Sequence, residues 1–154
     1  MFIFLKSEGK GMKKFEVLEE EATADVAYKA YGESLEEMYS NAALGLFSLI
    51  TDIKSVDVKQ VDLITVEAED KEALLLDFLN ELIYRWDVEK ILFSDFSCEI
   101  SKEGEGLVLK AECKGETFDG ERHEVKTEIK AITYFGMKVE KKDGIWETII
   151  TPDV

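Results

Sequence analysis

The fold is decided by residues 25–50, which run DVAYKAYGESLEEMYSNAALGLFSLI. Up to Gly32 the side chains alternate between an apolar set and a mixed set, and this period of two predicts a β-strand. Beyond it, Ser34 is a helix N-cap and Glu37 completes a capping box, so the pattern predicts a helix. Apolar residues then recur at steps of three and four, which indicates a helix with one face on a sheet. This apolar stripe consists of Leu35, Met38, Tyr39, Ala42, Ala43, Leu46, Leu49 and Ile50.

The same two patterns recur along the rest of the chain. Asp70 is the N-cap of a second predicted helix, whose apolar stripe has the same spacing. Hairpin turns are predicted at Glu103–Gly106 and at Lys142–Gly144, where glycine follows a polar residue. Further strands are predicted at Lys14–Glu19, Asp62–Glu69, Lys90–Lys102, Leu107–Glu116, Thr127–Lys141 and Ile145–Thr151, and the second stripe consists of Leu75, Phe78, Leu79, Leu82, Ile83 and Trp86.

The order β-β-α-β-α-β-β-β-β predicts an α+β fold. We expect a single domain with a largely antiparallel or mixed β-sheet and two amphipathic helices packed on one face. The 154 residues suffice to bury a core. Residues 1–11 are expected to be an N-terminal extension, because Met12 is a second candidate start. The apolar run at residues 1–5 is too short for a signal peptide or a membrane span, so we expect a cytoplasmic protein with no membrane partner.

Composition and motifs exclude several classes of function. The chain carries 34 acidic and 19 basic residues, a formal net charge of −15, which disfavours direct binding of nucleic acid and favours cations or basic proteins as partners. Cys98 and Cys113 have neither a disulfide-scaffold nor a zinc-site spacing, and we expect both to be buried. No P-loop, dinucleotide or nucleophile-elbow motif is present. The sequence therefore argues against a self-sufficient enzyme.

Acidic residues near both ends of the predicted domain are candidates for a metal site. Asp25 stands at the start of a predicted strand, where burying a bare carboxylate is costly. Asp153 adjoins Val154. If the last strand runs beside the strand that begins near Asp25, their carboxyl groups converge, and such hard oxygen ligands suit Ca²⁺ or Mg²⁺. A solvated Asp153 is the alternative interpretation.

The segment 120–130 alternates in charge along one predicted face. Lys126, Glu128 and Lys130 share that face if the strand begins near residue 125, and a solvated ladder of salt bridges is the simpler interpretation. The single histidine of the chain, His123, follows Arg122. We expect it to be a surface or loop-anchoring residue.

Several stretches together resemble the archease family, from about Lys14 to Val154, which makes residues 12–154 an archease-like domain. The long motif and the chain end are the most specific, because they recur in the family's order. The matching stretches are Ala22–Val26, Tyr31–Gly32, Asn41–Ala43, Leu46–Phe47, Leu79–Tyr84, Phe93–Phe96, Arg122–Tyr134 and Asp153–Val154.

The resemblance implies an accessory protein, not an enzyme, that acts on the RNA-splicing ligase of the RtcB type in tRNA splicing and RNA repair. It implies that the protein promotes guanylylation of the ligase's active-site histidine and restores multiple turnover. A general chaperone-like modulator of nucleic-acid enzymes is one alternative. A small metal-dependent hydrolase that uses Asp25, Asp153 and Glu128 is the other. The oligomeric state stays open.

The resemblance also implies where the working residues lie. The family's divalent-cation site carries over to Asp25 and Asp153, with an oxygen of Val154 as a third ligand, and Ca²⁺ is preferred over Mg²⁺ or Mn²⁺. The family's functional pair of one basic and one acidic residue carries over to this chain as well. The basic member falls at Arg122 or Lys126, and the acidic member falls at Glu128. Ala22 departs from the histidine usual in the family. The working surface implied by the long motif consists of Arg122, His123, Lys126, Glu128 and Lys130.

Overall fold

Two antiparallel sheets and two helices make up the part of the chain that the computed structural model describes, residues 13–19 and 26–154. Within these residues the order is β1 (Phe15–Glu19), β2 (Val26–Gly32), α1 (Leu35–Ile50), a short 3₁₀ helix (Ile53–Ser55), β3 (Gln60–Ala68), α2 (Lys71–Glu89), β4 (Ile91–Glu103), β5 (Gly106–Thr117), β6 (Ala131–Thr133), β7 (Glu140–Lys142) and β8 (Ile145–Asp153).

The strands divide between the two sheets. The first has the order β1-β2-β8-β6, with β7 also paired to β8, and the second has the order β3-β5-β4. Helix α1 packs against β2 of the first sheet and β4 of the second, while α2 packs against β3 and β6. Buried side chains from both sheets and both helices form one hydrophobic cluster. The predicted single α+β domain with antiparallel strands is confirmed, and its strands form two sheets.

Both helix starts follow the predicted caps. The Ser34 hydroxyl accepts a hydrogen bond from the Glu37 N–H at 3.0 Å, and the Glu37 carboxylate accepts one from the Glu33 N–H at 2.6 Å. The Asp70 carboxylate accepts one from the Ala73 N–H at 2.8 Å. These bonds satisfy N–H groups that have no partner within the helix, so they fix where each helix begins.

Gly45 lets α1 approach the first sheet closely. A Cβ atom at this position would lie 2.6 Å from Cε2 of Tyr28. The Tyr28 ring is fully buried, and its hydroxyl donates to the Ala42 carbonyl at 2.7 Å, so the ring has little room to move away.

Substitution Gly45→Ala is therefore expected to destabilise the fold. Alanine gains about 1 kcal/mol over glycine in helix propensity, but overpacking a rigid core site costs about 1–3 kcal/mol. We expect a net loss of about 1 kcal/mol in the free energy of unfolding, measured by urea denaturation. A stabilised variant would show that the Tyr28 ring can shift at no cost.

The predicted strand Thr127–Lys141 is wrong over most of its length. Only Ala131–Thr133 and Glu140–Lys142 are strands. Before β6, the main chain of Lys126 donates its N–H to the Ile50 carbonyl at the end of α1 at 2.7 Å, away from any strand. After β6, a turn closes through the Met137 N–H and the Tyr134 carbonyl at 2.9 Å. On either side of β6 the chain therefore bonds at these points to a helix end and to itself, which no alternation in its sequence reveals.

Both predicted hairpins are confirmed. Strands β4 and β5 meet at Glu103 and Gly106, and strands β7 and β8 meet at Lys142 and Ile145. In the second turn Asp143 and Gly144 both have positive φ, 53° and 82°, as a two-residue turn between twisted strands requires.

Candidate functional site

The last strand lies beside the strand that starts after Asp25, as the metal-site prediction requires. β2 and β8 pair antiparallel, with Tyr28 opposite Ile150 and Gly32 opposite Trp146. Asp25 itself and Ala22 lie outside the described residues. Among the described residues, no three His, Cys, Asp or Glu side chains are grouped so that they hold a metal ion.

Exposed residues, three of them with charged side chains, lie at the end of β8 and in the segment just before β6. Asp153 and Val154 are exposed, and the main-chain oxygen of Asp153 accepts the Lys130 N–H at 2.8 Å. Glu128, two residues before Lys130, is exposed as well. We call these residues, Glu128, Lys130, Asp153 and Val154, the chain-end surface. It unites the predicted metal ligands that the structure describes with two residues of the long motif.

An asparagine of α2 fixes the strand beneath the chain-end surface. The Asn80 carbonyl oxygen accepts the Ile132 N–H at 2.8 Å, and its amide donates to the Ile132 carbonyl at 3.3 Å. Among the strands that the structure describes, β6 pairs with β8 alone, and Asn80 supplies hydrogen-bond partners to its other edge. Asn80 belongs to a stretch that resembles the family, but no local pattern indicates that its partner is a main chain 52 residues away.

Arg122 and His123 bind a buried carboxylate that sequence reasoning missed. Arg122 donates to both carboxylate oxygens of Glu116, at 3.1 and 2.6 Å, and Nε2 of His123 lies 3.0 Å from the carboxylate. The Asp57 N–H donates to it at 2.7 Å, and the Lys59 ammonium is 3.5 Å away. Glu116 is 4% exposed, so these contacts lie inside the protein and stabilise its fold.

The tautomer of His123 follows from its two partners. The Asp119 N–H donates to Nδ1 at 2.9 Å, so in this arrangement Nδ1 carries no proton. Nε2 then carries the proton and donates to Glu116. The ring is buried at 5% exposure. His123 thus anchors the loop that follows β5, and of the two roles expected for it, the surface role is wrong.

The Glu116 carboxyl has a lowered pKa although burial alone would raise it. Burial removes water from the charged form, but the Asp57 N–H and His123 stabilise that form by hydrogen bonds, and the charges of Arg122 and Lys59 add to this effect. The carboxylate is therefore ionised at neutral pH and fully engaged. It is not available as a general acid or base.

Arg122 also ties the loop before β3 to this cluster. Its guanidinium donates to the Ser55 carbonyl at 3.2 Å and pairs with the Asp57 carboxylate at 3.3 Å. The side chain nevertheless stays partly exposed. Most of its donors are used within the protein, so its primary role is to hold two loops together.

Lys126 completes the end of α1. Its ammonium donates to the Ser48 carbonyl at 3.0 Å, and its main-chain N–H donates to the Ile50 carbonyl. Helix ends leave carbonyls without partners, and a cation there interacts favourably with the helix dipole. The side chains of Lys126, Glu128 and Lys130 are exposed, but no ion pair joins them to one another or to any other residue that the structure describes. The predicted ladder of salt bridges is therefore wrong, because Lys126 turns to the helix end.

The two cysteines do not form a reactive site. Both are free and buried, as expected. Cys98 lies opposite Ala111, two residues from Cys113. Burial raises the pKa of Cys98 to about 11 and that of Cys113 to about 12, so both thiols stay protonated at neutral pH.

Comparison with known proteins identifies the family. Residues 15–154 match the Archease protein family. The chain belongs to the archease family. A protein named archease from Pyrococcus abyssi is 44% identical over 144 residues, which are 93% of this chain and 100% of that relative. Another, from Methanosarcina mazei, is 39% identical over 143 residues, 92% of this chain and 97% of the relative.

Solved archease-like structures share the fold. The solution structure of protein 1598 from Methanobacterium thermoautotrophicum has a TM-score of 0.82 and 37% identity, covering 93% of this chain and 100% of that one. The crystal structure of an archease from Thermotoga maritima, described as a possible chaperone, has a TM-score of 0.58 and 25% identity, covering 86% and 92%. In the described part of the archease chain, neither helix is long and apolar enough to cross a membrane.

Proposed function

We propose that this archease-family chain is an accessory protein of an RNA-splicing ligase of the RtcB type. It promotes guanylylation of the ligase's active-site histidine and multiple turnover in tRNA splicing and RNA repair, and it catalyses no reaction of its own. We place it in the cytoplasm with that ligase. The observation that carries the proposal is the chain-end surface, where Asp153 and Glu128 are exposed and Asp153 pairs with β6, the strand that Asn80 binds along its other edge.

We further propose that Asp25, Asp153 and the main-chain oxygen of Val154 hold a divalent cation, Ca²⁺ before Mg²⁺ or Mn²⁺. The pairing of β2 with β8, in which Tyr28 faces Ile150, supports this site, because β2 begins one residue after Asp25 in the sequence and β8 ends at Asp153. Asp153 fits, because its carboxylate is exposed while its own carbonyl already accepts the Lys130 N–H. Carboxylate and carbonyl oxygens are what Ca²⁺ prefers. Once bound, the cation would neutralise carboxylates that otherwise repel one another.

The charge of the chain supports a protein partner with a basic surface. A formal net charge of −15 repels the phosphates of RNA and speeds association with a cationic protein. In this proposal the ligase holds the RNA, and the archease chain contacts the ligase.

The test is RNA ligation with limiting ligase from the same organism, GTP, Mn²⁺ and a substrate that ends in a 2′,3′-cyclic phosphate. With this protein present, product is expected to rise from about one equivalent of ligase to many. Single-turnover guanylylation of the ligase, followed with labelled GTP, is expected to accelerate as well. Unchanged product from a ligase shown to be active would refute the accessory role.

A chaperone-like modulator is the second candidate, favoured by the description of the Thermotoga maritima archease as a possible chaperone. It differs in the number of partners it predicts. Affinity capture from the native organism would recover several unrelated nucleic-acid enzymes for a modulator and mainly the ligase for an accessory protein.

A further inference from the structure

Phe135 projects into solvent more than any other large hydrophobic side chain in the described part of the chain. Its exposure is 79%, and the adjacent Tyr134 is also exposed. Isolated exposed apolar residues are common. What distinguishes Phe135 is the structure that holds it.

Threonine side chains bind both main-chain polar groups of Phe135. Its N–H donates to the Thr133 hydroxyl at 3.3 Å, and its carbonyl accepts from the Thr151 hydroxyl at 2.9 Å. The Thr133 hydroxyl in turn donates to the Thr151 carbonyl at 3.2 Å. Buried Met137 closes the turn through the Tyr134 carbonyl. The backbone below the ring is thus ordered before any partner arrives, which lowers the entropic cost of binding.

The turn adjoins the chain-end surface. Thr151 and Asp153 lie on the same face of β8, about 7 Å apart along a strand, while Ile150 and Pro152 face the core. On β6, Thr133 pairs with Thr151 and Ala131 pairs with Asp153. The Phe135 ring and the Asp153 carboxylate are therefore carried by the same two strands.

We propose that Phe135 is the anchor by which this protein docks on the ligase, entering an apolar pocket whose rim is basic. The inference rests on the proposed function and deepens it. An aromatic side chain on an ordered turn is the kind of residue that dominates binding energy at protein interfaces. The basic rim follows from charge complementarity with the net charge of −15 and with the acidic Asp153, which the same pair of strands carries beside the turn.

Leu63 provides a matched control. It is 72% exposed on the outer face of the second sheet, where it lies opposite Glu112 in regular strand pairing. It has the same exposed apolar character as Phe135, but it lies on the other sheet and on no ordered turn beside the chain-end surface.

The experiment titrates wild-type protein, Phe135→Ala, Phe135→Tyr and Leu63→Ala against limiting ligase in the ligation assay, and measures binding to immobilised ligase in parallel. For Phe135→Ala, the concentration that gives half-maximal stimulation is expected to rise at least about tenfold. Phe135→Tyr keeps the ring and should stay close to wild type. Leu63→Ala should match wild type. The thermal unfolding midpoint of Phe135→Ala should be unchanged, because the side chain is exposed.

The outcomes separate this inference from the function on which it rests. If wild-type protein fails to stimulate an active ligase, the proposed function falls and the docking role with it. If wild-type protein stimulates and Phe135→Ala does so at the same concentration, only the docking role is overturned. A loss confined to Leu63→Ala would move the docking surface to the outer face of the second sheet.

Discussion

Asp153→Ala is expected to abolish multiple turnover of the ligase and to weaken binding of the divalent cation. In our proposal Asp153 is a direct ligand, and loss of even an outer partner of a metal ligand costs about 10–100-fold in affinity. Calorimetric titration with Ca²⁺ and the ligation assay should therefore both respond. The fold should persist, because the carboxylate is exposed and the strand pairing of Asp153 with Ala131 uses the main chain.

Asp87→Ala is the matched control for this change. It removes the same charge from an exposed aspartate on α2, so any general effect of net charge on association appears in both variants. Stimulation by Asp153→Ala at the level of Asp87→Ala would refute the role of Asp153. Retained stimulation combined with lost Ca²⁺ binding would separate the cation from the function.

Patterns between residues close together in the sequence were sufficient to predict most of the fold. The caps at Ser34 and Asp70, the two apolar stripes and the Asp143–Gly144 turn each depend on residues within four positions of one another. Propensity and periodicity describe such short-range physics well. The pairing of the last strand with the strand that begins near Asp25 was predicted only as a condition, and the structure confirms it for β8 and β2.

The buried carboxylate could not be predicted because long-range partners create it. Along β5, Leu109, Ala111 and Cys113 are buried and the residues between them point outward, so the period of two places Glu116 on the solvent side. The loop that carries Arg122 and His123 folds back over it. Glu116 has the strand position of a surface residue, and it is buried at the centre of a cluster because this loop covers it.

The long family motif therefore divides into two parts with different tasks. Its first residues, Arg122 and His123, are bound to Glu116, and Lys126 is bound to the end of α1. Its later residues, Glu128 and Lys130, are exposed, and the Lys130 N–H donates to the Asp153 carbonyl. Three of the five residues that the resemblance implies as a working surface thus make contacts within the fold, while no ion pair in the described part of the chain engages Glu128 or Lys130.

Among conservative changes to the Glu116 cluster, Glu116→Gln is expected to lower the free energy of unfolding most. The amide keeps the size of the side chain and leaves His123 and the Asp57 N–H with an acceptor oxygen, but the Arg122 guanidinium loses the carboxylate to which it donates two hydrogen bonds and keeps the Asp57 carboxylate alone. Hydrogen bonds to charged groups contribute about 1.5–3 kcal/mol. Arg122 remains 37% exposed, and water screens part of the loss, so we expect about 2 kcal/mol in the free energy of unfolding at neutral pH.

The pH dependence of this loss distinguishes lost charge from lost packing. The pKa of Glu116 is lower in the folded chain than its ordinary value of 4.5, so its carboxylate stabilises the fold above that value, and the contribution disappears as the pH falls through the folded pKa. Urea unfolding should thus show a difference between wild type and Glu116→Gln that is full at neutral pH and shrinks below pH 4.5. Glu112→Gln, an exposed position on the same strand, should stay within about 0.5 kcal/mol of wild type. A Glu116→Gln deficit that is equally large in acid would mean that shape, and not the charge on Glu116, holds this loop to the sheet.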